Sequence, residues 1–151
     1  MQTLKRTQVI NISISDAWDF FSNPENLKII TPGFMKFEMT SDTKNIRMYP
    51  GMIITYKVSP FMKIPFNWVT EITQVNEPFY FVDNQKSGPF KYWHHQHFFK
   101  QLGDGIEMTD LVNYAAPFEN LSQPIEKTII RKRVEMIFDF RHKKLEELFG
   151  K

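Results

Sequence analysis

Three residues have the types and spacing to do chemistry together: His95, His97 and Asp110. All lie in residues 88–117, GPFKYWHHQHFFKQLGDGIEMTDLVNYAAP, which reads as a β-hairpin turning through Leu102-Gly103-Asp104-Gly105. Counting outward from Gly103 and Asp104 sets Phe99 opposite Met108, His97 opposite Asp110, His95 opposite Val112 and Trp93 opposite Tyr114. Side chains alternate along a strand, so these eight share one face. The other face, with Tyr92, His94, Gln96, Lys100, Glu107, Thr109 and Asn113, is the wetter one. Two imidazoles and a carboxylate are therefore expected among aromatic and aliphatic side chains.

Four kinds of chemistry suit that constellation. An inward aspartate is costly unless paired, and an adjacent imidazole satisfies it, so the group can be structural. It can instead orient the polar end of a mostly apolar molecule. His97 held by Asp110 can act as a general acid–base pair, although no nucleophile or oxyanion-hole signature accompanies it. Two histidines and a carboxylate also form a divalent-metal set. Such short His-x-His pairs arise often by chance, and the expectation is no metal and no cofactor.

The remaining elements have to carry this hairpin. Residues 3–14 alternate as a first strand, and Ser15 is placed to cap a short helix, DAWDFFS, with Trp18 inward. Asn23-Pro24-Glu25 opens a second short helix ending near Ile30, before Pro32. Strands follow at 36–40, 51–59, 66–75 and 79–85, with SPFMKIP as a loop whose Phe61, Met62 and Ile64 look exposed. In the last of these strands Phe81, Asp83 and Gln85 share a side. From Ser122 to Leu148 a three-four spacing through Ile125, Ile129, Ile130, Val134, Ile137, Phe138, Leu145 and Leu148 predicts a long helix. Arg141 falls on that apolar stripe and calls for an acid such as Asp83 or Asp19. One strand, two short helices, six strands and a long helix make a single α+β domain spanning 1–151, with an antiparallel sheet.

Composition narrows the function. The chain has 151 residues, 15 of them phenylalanine, which favours a bulky core or an internal cavity. It contains no cysteine, excluding disulfides and thiolate chemistry. A net charge of +2 is too small to argue for nucleic acid, and no stretch is apolar enough to span a bilayer. The first residues lack a signal-peptide core, so a cytoplasmic location is expected.

Several local motifs resemble the START-like (SRPBCC) superfamily. They are PENLKIITP at 24–32, Trp68-x-Thr70-x-Ile72, Phe81-x-Asp83-x-Gln85, Gly88-Pro89-Phe90-x-x-Trp93, His95-x-His97-x-Phe99, Asp110-x-Val112-x-Tyr114 and IFDFR at 137–141. The match is to polyketide cyclase/dehydrase-like bacterial ligand-binding members. The resemblance implies a helix-grip fold, in which a seven-stranded antiparallel sheet wraps a long C-terminal helix around a cavity. The expected walls are Phe37, Tyr56, Trp68, Phe81, Trp93, Phe99, Met108 and Tyr114, closed by Ile129, Arg133 or Met136. His95, His97, Asp110 and Gln85 would orient the ligand. The expected partner is a small hydrophobic molecule bearing a polar group. The alternatives are a cyclase or dehydratase working through His97 and Asp110, or an interaction module using the loop 61–65. Oligomeric state stays open.

Overall fold

The computed structural model describes residues 1–116 and 124–150, without the side chains of 124–126. The loop expected between Pro117 and Pro124, the helix start expected at Ser122 and the side chain of Ile125 lie outside these.

β1 (Gln2–Ile10) leads into α1 (Ile14–Phe21) and two 3-10 turns, Pro24–Lys28 and Gly33–Met35. β2 (Glu38–Met39), β3 (Ile53–Phe61), β4 (Ile64–Asn76), β5 (Tyr80–Ser87), β6 (Tyr92–Leu102) and β7 (Gly105–Ala115) follow, then α2 (Pro124–Phe149). The seven strands form one antiparallel sheet in the order β1-β7-β6-β5-β4-β3-β2. This is the helix-grip arrangement: α2 buries Ile130, Val134, Phe138, Arg141 and Leu145. The β6–β7 register pairs Trp93 with Tyr114, His97 with Asp110 and Phe99 with Met108, as the turn position predicts.

Local chemistry shifts several boundaries. Ser13, not Ser15, caps α1: its Oγ accepts the Asp16 N–H at 3.0 Å and donates to the Asp16 carboxylate at 2.7 Å. The first strand therefore stops at Ile10. The loop 59–65 is a two-residue hairpin turn, because Met62 and Lys63 adopt φ of 49° and 58° and β3 and β4 run up to Phe61 and Ile64. Lys36 is left-handed at φ 48°, ending the second 3-10 turn and leaving β2 only two residues long.

The long helix presents a different stripe from the one expected. Ile129 is 59% exposed and Met136 49%. Both turn away from the line 130-134-138-141-145: Ile129 stands about 100° from Ile130, and Met136, two residues on, about 200° from Val134. Arg133 is half-buried, with its guanidinium 4.4 Å from the centre of the Phe34 ring. None of the three lines the cavity; Ile137 and Phe138 do.

Candidate functional site

A cavity of about 120 Å³ lies between the sheet, α2 and the first helical segments. Its walls include Phe37, Tyr56, Trp68, Phe81, Phe90 and Trp93, with Ile54, Val58 and Ile72 between them. Phe20, Phe21, Asn26, Leu27 and Ile30 contribute from the segment after β1, which was not among the expected walls. The rings contact one another: Tyr56 stacks on Trp68 at 5.7 Å, and Trp68 meets Trp93 edge-on at 5.3 Å.

One end of the cavity is polar. β5, β6 and β7 are neighbours, so Asp83 stands opposite His95, Phe81 opposite His97, and His97 opposite Asp110, on one face. The shortest contacts run along the diagonals. His97 Nε2 is 2.6 Å from Asp83 Oδ2, and His95 Nε2 is 2.8 Å from Asp110 Oδ1. The two imidazoles lie 3.6 Å apart, and Phe81 stacks on His97 at 4.0 Å. Arg141 reaches in from α2, its Nε 3.2 Å from Asp110 Oδ2 and an Nη 3.4 Å from His97 Nδ1. The Nε contact is an ion pair by distance but makes no hydrogen bond. Arg141 therefore pairs with Asp110; Asp19 pairs with Arg47 at the surface instead.

Burial and charge set the protonation pattern. Burial drives His95 down to about 4, the neighbouring His97 adding to the effect, so its imidazole is neutral near pH 7. Desolvation pulls both carboxyls upward, but the ion pairs and hydrogen bonds win and hold them below their usual value. For Asp83 the main counterweight is His95, and for Asp110 it is Arg141. Burial also raises the Tyr56 phenol, whose hydroxyl meets Thr70 Oγ1 at 3.2 Å.

The expected lining residues divide into two groups. Phe37, Tyr56, Trp68, Phe81, Trp93, His95 and His97 face the cavity. Phe99, Met108 and Tyr114 are buried on the same sheet face but pack into the core, Phe99 against Trp18 and Phe21. Asp110 stands behind the histidines, beside a second, much smaller cavity. Gln85 points elsewhere. Its side chain donates to the Phe90 carbonyl at 2.6 Å and accepts the Phe90 N–H at 3.1 Å, clamping the β5–β6 connection.

Asp83, not Asp110, is the carboxylate that faces the cavity, and its alternation with Phe81 was the signal for it. Asp83, His95 and His97 each offer one ligating atom within 4.8 Å of the others, the set that could hold a divalent ion. Such an ion would displace the His97–Asp83 hydrogen bond.

A match to the protein-family profile for polyketide cyclase / dehydrase and lipid transport spans residues 10–149. The chain belongs to this family. Several solved structures superpose on it over nearly their whole length. TTHA0849 from Thermus thermophilus matches with a TM-score of 0.76 at 14% identity, covering 97% of this chain and 95% of that one. A START superfamily protein from Mycobacterium smegmatis gives 0.68 at 12% identity, covering 97% and 98%. Major latex-like protein 151 from Panax ginseng gives 0.56 at 12% identity, covering 93% and 97%. At these identities the likeness establishes the fold, while the site rests on this chain's own residues. No curated protein matches the sequence. Among the described residues no helix is long and apolar enough to cross a membrane.

Proposed function

We propose that this polyketide cyclase / dehydrase and lipid transport family member binds a small, mostly apolar molecule in the cavity between sheet and α2, with the molecule's polar group at the Asp83–His95–His97 end. The observation that carries the reading is the cavity itself: an aromatic chamber with its charged groups gathered at one end. Apolar burial, at about 25 cal/mol per Å², would supply affinity, and the polar end orientation.

The acid–base alternative is weaker on geometry. His97 has Asp83 on Nε2 and Arg141 with Asp110 around Nδ1, so both ring nitrogens are engaged within the protein. Asp110, its expected partner, sits away from the main cavity. Titration with Nile red, a neutral apolar dye, tests the binding reading. A saturable, blue-shifted rise in emission on the folded protein is expected. Emission unchanged from free dye would sink it.

A further inference from the structure

The polar end has a sign. Asp83 and Arg141 are the charged residues on the wall, and Arg141 is already paired with Asp110. Two carboxylates against one guanidinium leave the fixed charges of the cluster one negative in excess. Arg6, beside Asp110 on β1, does not alter this sum, because it pairs with Asp139 of α2 at 3.2 Å.

Within this cluster, Asp83 and His95 are the wall residues that offer acceptors. His95 commits Nε2 to Asp110, so in the neutral ring Nδ1 is a bare lone pair. That nitrogen lies 3.6 Å from Asp83 Oδ2, too far for a hydrogen bond and close enough for one donor to serve both. Asp83 is partly open, its side chain 16% exposed. Trp93 stands edge-on to His95, Tyr56, Trp68 and Phe81 line the same cavity, and aromatic faces attract cations.

Resting on the binding reading above, we propose that the site selects an apolar molecule ending in a protonated amine over one ending in a carboxylate. The ammonium would lie between Asp83 and His95 Nδ1 and neutralise the cluster, with its hydrocarbon body against the aromatic wall. An anionic head would face Asp83 across a desolvated gap, with the charge of Arg141 already offset by Asp110.

Three ligands with one body test this: 3-phenylpropylamine, 3-phenylpropan-1-ol and 3-phenylpropanoate, titrated at pH 7 against the fluorescence of wall residues Trp68 and Trp93. The amine should bind at least about tenfold more tightly than the carboxylate, with the alcohol between. Asp83→Asn should erase most of that preference. Since Asp83 also holds His97, a second measurement uses the unaltered protein. N-acetylating the amine removes its charge and should cost at least about fivefold in affinity. A carboxylate that binds as tightly as the amine, or an acetylated amine with undiminished affinity, overturns the inference. If Nile red still binds, the cavity reading survives that result; if Nile red fails as well, both fall together.

Discussion

Arg141 Nε lies 3.2 Å from Asp110 Oδ2, which ties the final turns of α2 to the middle of β7 through a buried ion pair. Asp110 in turn receives His95, so one carboxylate joins the helix to the wall of the cavity. Gln8 adds a second tie, donating from β1 to the His142 carbonyl at 2.7 Å. Charges taken out of water are costly, and each member of such a group depends on the others being present.

Removing the guanidinium alone should therefore be severe. Arg141→Met leaves Asp110 buried without its main counter-charge, and a loss of roughly 3–5 kcal/mol in urea unfolding is expected. Adding Asp110→Asn in the same chain should recover part of that loss. A double variant whose loss equals the sum of the two single losses would show that the pair is not coupled.

Acid should weaken the fold in two stages. His95 is held near 4, whereas an unfolded histidine titrates near 6.5, so between those values the unfolded chain binds the extra proton. Stability from this group is complete above about pH 6.5 and declines as pH falls toward 4, by about 3 kcal/mol at most. Asp83 and Asp110 are held below their unfolded value, so their contribution disappears at lower pH still. Thermal melts across pH 7.5 to 4 should show the first decline, and His95→Gln should flatten it. An unchanged slope in that variant would assign the decline to other groups.

Much of this was legible in the sequence because a hairpin with an obvious turn fixes parity. Once Gly103 and Asp104 sit at the tip, the inward positions of His95, His97 and Asp110 follow by counting, and they are buried. Parity names a face, however, and not what lies above it. Phe99 and Met108 share the face with Trp93, yet α1 covers Phe99 while the cavity opens beside Trp93. On α2 the apolar residues span more than one stripe, so Ile129 and Met136 fit a three-four spacing as well as Ile130 and Val134. Only packing against the sheet separates them. The alternation of Asp83 with Phe81 was visible, but its place beside the histidines was not, because β4 and β5 pair with register shifts near Thr70 and Ile72 and β5 carries polar residues on both faces.

The turn before β6 offers a local test. A Cβ on Gly88 would lie 2.5 Å from Gln85 Oε1, the atom that accepts the Phe90 N–H. Gly88→Ala should push that amide away and break the clamp, costing about 1–3 kcal/mol. In a Gln85→Ala background the same substitution should cost much less. Equal costs in both backgrounds would place the strain in the backbone instead.

Filling the chamber separates binding from folding. Ile54 is 1% exposed, lies on β3 and faces the cavity. In a close-packed core, an added ring at such a position costs about 1–3 kcal/mol through strain. Beside open volume the ring of Ile54→Phe has somewhere to go, so the melting temperature should move by only a few degrees. Nile red affinity should nevertheless fall at least about tenfold, because the new ring occupies the space that the dye needs. A variant that melts far lower would mean that the space beside Ile54 cannot accept a ring. One that keeps its melting temperature and still binds the dye with unaltered affinity would mean that the dye sits elsewhere on the protein.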